Sequence, residues 1–126
     1  MSRTAMISII DNDEFMLDAV RNLVRSLGYR AAVFSSAEDY LQSDCLRDSA
    51  CVITDLQMPG LNGIELQKSL LAQDRHIPII FVTAFPEERL RARVMEAGAL
   101  GFLSKPFESE TLIKLIDKAI EAGRKT

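Results

Sequence analysis

A doubly wound α/β fold is the architecture this sequence predicts: a flavodoxin-like five-stranded parallel sheet in the order 2-1-3-4-5, covered by five helices. Three observations carry it. Short apolar runs rich in β-branched residues alternate with amphipathic helical patterns from end to end. Each run is continuously apolar, as in a parallel sheet with both faces covered, and right-handed crossovers leave few strand orders at this size. The chain has 126 residues, 48% of them hydrophobic, enough for one core, and no repeat, low-complexity tract or linker divides it. Residues 1–126 are therefore read as one domain.

The first run, Met6 to Ile10, is a buried strand. After Asp11, Asn12 and Asp13, the apolar residues Met16, Ala19, Val20, Leu23, Val24 and Leu27 recur at helical spacing, and Gly28 supplies a left-handed stop. Ala31 to Phe34 is the second strand. Ser35 to Glu38 reads as a capping box that opens a helix through about Ser43. Cys51 to Thr54 is the third strand, and Asp55 and a turn follow it. Asn62 and Glu65 are placed as cap and N3 partner of a helix carrying Ile64, Leu66, Leu70 and Leu71. Ile79 to Val82 is the fourth strand. Pro86 suits the first position of a helix with Glu87 and Glu88 in its positive first turn, and Gly98 ends that helix. Gly101 to Ser104 is the fifth strand. Ser109 starts a last helix, with Leu112, Ile113, Leu115, Ile116, Ala119 and Ile120 inward, that closes near Gly123.

Composition excludes several functions. Fifteen Lys and Arg against 18 Asp and Glu give a net charge of −3, and no basic stripe or recognition helix is present, so direct nucleic-acid binding is not expected. Cys45 and Cys51 form neither a zinc ribbon nor a CxxC pair, and two unpaired thiols fit a reducing cytoplasm. His76 stands alone, which removes the usual zinc and Ser/His or Cys/His constellations. No signal peptide or apolar stretch of membrane-spanning length occurs, so a soluble cytoplasmic chain is expected.

In a sheet of this kind the ligand site lies beyond the carboxyl ends of the strands, at the switch point. The residues there are Asp11, Asn12 and Asp13 after the first strand, Asp55 after the third, Thr83 after the fourth, and Lys105 and Pro106 after the fifth. Neighbouring carboxylates repel, so a cation must neutralise them. A hard divalent ion accepts such oxygen ligands, and Lys105 and the Thr83 hydroxyl can contact phosphoryl oxygens. Neither GxxxxGK[ST] nor GxGxxG occurs. Phosphate must then arrive on another molecule or form covalently, and an aspartate is a competent nucleophile, which makes Asp55 the candidate.

These residues resemble a known family. Ile-Ile-Asp11-Asn12-Asp13, Val-Ile-Thr-Asp55-Leu-Gln-Met-Pro-Gly-Leu-Asn-Gly63, Phe-Val-Thr83-Ala84 and Gly-Phe102-Leu-Ser-Lys105-Pro106-Phe107 look like the receiver domain of two-component response regulators, and most like FixJ-type receivers. The resemblance spans essentially the whole chain. It implies that Asp55 takes a phosphoryl group from a histidine kinase or phosphotransfer protein in a magnesium-dependent reaction. It also implies that the receiver is no enzyme in the ordinary sense, although it supplies catalytic residues for its own phosphorylation and dephosphorylation. Mg2+ would be held by Asp55, the Asn12 side chain, the Gln57 backbone carbonyl and, through water, Asp11. Thr83 and Lys105 would hold phosphoryl oxygens, and the peptide bond to Pro106 is cis in the family. Thr83 and Phe102 would form the switch. Their movement would reshape the surface of the fourth helix, fifth strand and fifth helix, where an output domain, a target protein or a second copy docks.

The sequence departs from the family pattern in four places. Asn12 replaces one of the usual paired acids, which predicts weaker magnesium binding; Asp13 either compensates or caps the first helix. Gln57 and Phe85, two residues beyond Asp55 and Thr83, stand at positions that the resemblance places beside the path of the hydrolytic water, where they would pull its access in opposite directions. Phe102 lacks the hydroxyl of the commoner tyrosine, so its switching depends on packing, or it is a plain core aromatic. The fourth helix carries Glu87, Glu88, Arg89, Arg91, Arg93 and Glu96, either a solvated face or a docking surface.

Three other readings compete. An aspartyl-phosphate phosphatase needs a second aspartate where Gln57 stands. A flavin-binding module needs a phosphate loop and flanking aromatics that are missing here. A phosphate-independent interaction module has no physical reason to keep Asp55, Thr83 and Lys105 together. Because the chain ends soon after the last helix, it reads either as a stand-alone receiver or as one cut from an output domain.

Overall fold

The apolar runs pair as parallel strands of one sheet. In the computed structural model, which describes residues 5–124, they are β1 Met6–Ile10, β2 Arg30–Phe34, β3 Ser49–Asp55, β4 Ile79–Thr83 and β5 Gly101–Ser104, in the order β2-β1-β3-β4-β5. The helical segments are α1 Glu14–Ser26, α2 Ala37–Leu41, α3 Cys45–Asp48, α4 Gly63–Ala72, α5 Glu88–Glu96 and α6 Ser109–Arg124. The four-residue α3 is additional to the five expected helices, so the expected fourth helix is α5 and the expected fifth is α6.

Side chains alternate across each strand, and the continuous apolar runs therefore feed two cores. Ile7 and Ile9 of β1, Cys51 and Ile53 of β3, and Ile80 and Val82 of β4 pack under α1 and α6, against Leu17, Val20, Val24, Leu112 and Ile116. Ile10, Val52, Ile79 and Phe81 point the other way, onto Ala37 and Tyr40 of α2, Leu46 of α3, Leu66 and Leu70 of α4 and Val94 of α5. Burial pushes the Cys51 thiol up to about 12, so it packs as a small apolar group. No helix among the described residues is long and apolar enough to cross a membrane.

The caps show how local chemistry sets the ends of the elements. Asp13 caps α1, its carboxylate accepting from the Phe15 N–H at 3.0 Å. Asn62 and Glu65 form the expected reciprocal capping box of α4. Gly28 and Gly98 adopt φ of 92° and 106° just after α1 and α5.

Several local expectations are corrected. Leu17 is buried and Ala19 is exposed, because the inward row of α1 runs through Leu17, Val20 and Val24. The cap of α2 is Ser36, one residue later than expected, and its hydroxyl accepts from the Asp39 N–H; the helix ends at Leu41 rather than near Ser43. Pro86 lies before α5 and not in its first turn, since Glu87 is the cap and Glu88 the first acid inside. Leu71 is 40% exposed, on the far side of α4 from Leu66 and Leu70.

Candidate functional site

Strand register brings the polar tips together. Ile10 pairs with Thr54, so the next residues, Asp11 and Asp55, fall side by side at the ends of β1 and β3. Asp55 pairs with Val82, which sets Thr83 one step beyond it on β4. Thr83 pairs with Ser104, which carries Lys105 just past the end of β5. Backbone bonds seal this rim: the Leu56 N–H donates to Val82 O at 3.0 Å and the Lys105 N–H to Thr83 O at 2.8 Å. The Lys105–Pro106 peptide bond is cis.

The side chains converge on a cavity of about 250 Å³ lined by Asp11, Asn12, Asp13, Asp55, Gln57, Thr83, Ala84, Phe85 and Lys105. Lys105 Nζ donates to Asp11 Oδ2 at 2.9 Å and to Asp55 Oδ2 at 3.3 Å. The other oxygens accept from backbone: Asp11 Oδ1 from the Asp13 N–H at 2.9 Å, and Asp55 Oδ1 from the Gln57 N–H at 3.2 Å. Asp11 is 1% exposed and Asp55 8% exposed. Thr83 is fully buried, and its Oγ1 accepts from the Phe85 N–H at 3.1 Å.

Burial of Asp11 penalises its charged form and raises its pKa, a push that the Lys105 hydrogen bond and the Asp13 N–H reduce without reversing. For Lys105, burial pushes the ammonium pKa down, but the hydrogen bond and charge of Asp11, and then those of Asp55, outweigh it and raise it. The lysine is therefore a fixed positive charge between two carboxylates.

The expected donors thus meet in one place. Asp11, Asn12, Asp55 and Gln57 offer an all-oxygen set that suits a hard cation with one or two protein carboxylates and retained waters. Among the described residues no group of three or more His, Cys, Asp and Glu is arranged to hold a metal, so a cation here would rely on Asp11 and Asp55 with neutral oxygens. Asp13 is occupied as the α1 cap. Phe102 sits apart from the cavity, half-buried, in a groove with Arg91, Met95 and Lys114. A larger cavity, about 710 Å³, opens at the opposite end of the sheet, but Asp74 there pairs with His76 at 2.9 Å and no buried carboxylate pair lines it.

One residue beside the site was not singled out by sequence reasoning for any role there. Glu38 of α2 turns away from its own helix and accepts from the Leu61 N–H at 3.2 Å, in the loop that follows Asp55. A capping-box pattern masked it, since Ser35 to Glu38 matches that motif.

A doubly wound sheet with two buried aspartates and a lysine beyond its strand ends is an α/β module with a polar site at the place where ligands bind in folds of this class. The chain belongs to the response regulator receiver domain family, whose model matches residues 7–117. It is 36% identical over 124 residues to nodulation protein W of Bradyrhizobium diazoefficiens, covering 98% of this chain and 55% of that protein. It is 37% identical over 120 residues to the transcriptional regulatory protein FixJ of the same organism, covering 95% of this chain and 58% of that protein. Among solved structures, the response regulator StyR superposes with a TM-score of 0.89 at 35% identity over 98% of this chain and 63% of that one. The chain spans just over half the length of the curated relatives it matches.

Proposed function

We propose that residues 1–126 act as one phosphorylation-activated switch of a two-component system, in which Asp55 accepts a phosphoryl group from the phosphohistidine of a histidine kinase or phosphotransfer protein. The observation that carries this reading is the convergence of Asp55, Asp11 and Lys105, with one ammonium 2.9 Å and 3.3 Å from the two carboxylates. An Asp55 oxygen forms the new bond to phosphorus as the donor's P–N bond breaks, and the donor imidazole leaves with the electron pair. The Gln57 N–H and Lys105 orient the carboxylate. Lys105 and the Thr83 hydroxyl take the phosphoryl oxygens, while Gln57 and Phe85 line the same cavity and act in opposite directions on water access. Asp55, the Asn12 side chain, the Gln57 backbone carbonyl and, through water, Asp11 would hold Mg2+, which supplies charge neutralisation between carboxylate and phosphoryl group. The chain is a phosphoacceptor that assists its own phosphorylation and dephosphorylation, and the cytoplasm, where such donors act, is its proposed location.

For output, we propose that recruitment of Thr83 to the phosphoryl group lets Phe102 turn inward and alters the α5/β5/α6 surface. Phe102 is half-buried and packs against the core on the α5 side of the sheet, while α5 itself rests on buried Val94 and half-buried Leu90. That lightly anchored surface suits an output domain, a target protein or a second copy of the chain.

Intact-mass measurement after incubation with Mg2+ and acetyl phosphate tests the reading. Wild type is expected to gain one phosphoryl group and Asp55→Asn none. Folded wild type that gains nothing, from acetyl phosphate or from a cognate kinase, would favour a phosphate-independent interaction module instead. Asn12→Asp is expected to tighten divalent-ion binding about tenfold, because it adds a full charge beside the ion. Calorimetric titration with Mg2+ checks this, and equal affinities would refute the charge argument.

A further inference from the structure

We propose that Glu38 is a positioning residue for the metal site: its carboxylate holds the loop of residues 57–61 so that the Gln57 backbone carbonyl stays beside Asp55. The inference rests on the phosphoacceptor reading above. A carbonyl ligand has no side-chain torsion of its own, so its direction is set by how the peptides around it are fixed. Outer contacts of this kind govern metal affinity through orientation.

The loop is fixed at three points. At its start, the Gln57 N–H donates to Asp55 Oδ1 at 3.2 Å. Next, the Met58 side chain is 8% exposed and packs in the same core as Ala37 and Tyr40 of α2. At its far end, the Leu61 N–H donates to Glu38 Oε2 at 3.2 Å, across 23 residues of sequence.

Gly60 shows how closely the carboxylate seats on the loop. Its φ is 78°, and a Cβ there would stand 2.6 Å from Glu38 Oε2. A side chain at Gly60 would both strain the backbone and displace the carboxylate.

Glu38 is free for this contact because Ser36 already caps the α2 backbone at Asp39. Its helix is a firm platform: Tyr40 is fully buried, and its hydroxyl donates to Ser49 Oγ at 2.9 Å. The amino end of the central strand β3 is thus linked through α2 and this one carboxylate to the loop beside the proposed metal site.

The test is titration of Mn2+, a paramagnetic stand-in for Mg2+, with free ion read by electron paramagnetic resonance, together with amide hydrogen exchange at Leu61. Glu38→Ala is expected to weaken Mn2+ binding about fivefold and to speed exchange at Leu61. Glu38→Gln keeps an oxygen acceptor and loses the charge, so it is expected to restore both to near wild type. Gly60→Ala displaces the same carboxylate from the loop side, with the sequence of α2 unchanged, and is expected to weaken binding by a similar factor. Unchanged affinity in Glu38→Ala and Gly60→Ala would overturn the proposal, and so would a Glu38→Gln variant as weak as Glu38→Ala, which would assign the effect to charge. Wild type that binds no Mn2+ and takes up no phosphoryl group would overturn the phosphoacceptor reading itself, a result distinct from either.

Discussion

Lys105→Met is expected to slow phosphoryl uptake by roughly 10²-fold without weakening divalent-ion binding. Removing one charged donor aimed at developing negative charge costs about 10²- to 10³-fold in rate, because a preorganised donor in a dry site has no equivalent in water. The Lys105 side chain is 15% exposed and its Nζ lies within 3.3 Å of both carboxylates, so the charge is held at the cavity that the proposed function assigns to the phosphoryl oxygens. Its second contact predicts the other half of the result. Lys105 already satisfies Asp11 Oδ2 at 2.9 Å, so it competes electrostatically with any cation entering beside Asp11. Time courses of intact mass with acetyl phosphate, run beside Mn2+ titrations, separate the two effects. Equal losses in both would make Lys105 a scaffold residue, and unchanged uptake would remove it from the chemistry.

Gly63→Ala is expected to destabilise the protein by about 2 kcal/mol, because the new methyl group meets backbone and ring atoms that have nowhere to go. A Cβ there would lie 2.7 Å from Asp55 O, 3.0 Å from Leu56 Cα and 3.0 Å from Phe81 Cε1. The loss corresponds to roughly 8 °C in melting temperature for a chain of this size. Gly101→Ala is the control. Its nearest neighbour is the Leu115 side chain, Cδ1 at 2.6 Å, which can turn aside, so a smaller loss is expected. Thermal melts of the two variants decide it, and equal losses would mean that the Asp55 strand end yields as readily as a leucine tip. Because the Gly63 clash falls on the Asp55 carbonyl, the same variant is expected to slow phosphoryl uptake.

Much of the fold was legible in the sequence because the residues that define it act locally. Asp13, Asn62 and Glu65 cap their helices as their side-chain oxygens dictate, and Gly28 and Gly98 stop helices because they adopt positive φ. The errors fell where two local solutions differ by little. Ser35 and Ser36 are both competent caps, and the choice went to the one that turns Ala37 and Tyr40 into the core. Pro86 fits the first helical position, but the cap is Glu87, which leaves the proline in the preceding turn. Leu17 and Ala19 both lie on α1, and the sheet beneath selects Leu17.

The sequence by itself determined the five apolar strands, their parallel order and the polar residue at each strand tip, because these follow from hydrophobic period and from chemistry carried by single residues. Only the tertiary structure decided what those tips touch. Register places Asp11 beside Asp55 one step past the Ile10–Thr54 pair, and it is the fold that divides Lys105 between the two carboxylates. Glu38 is the extreme case: its partner lies 23 residues away, and a capping motif, which is a short-range regularity, carries no information about a contact made across space.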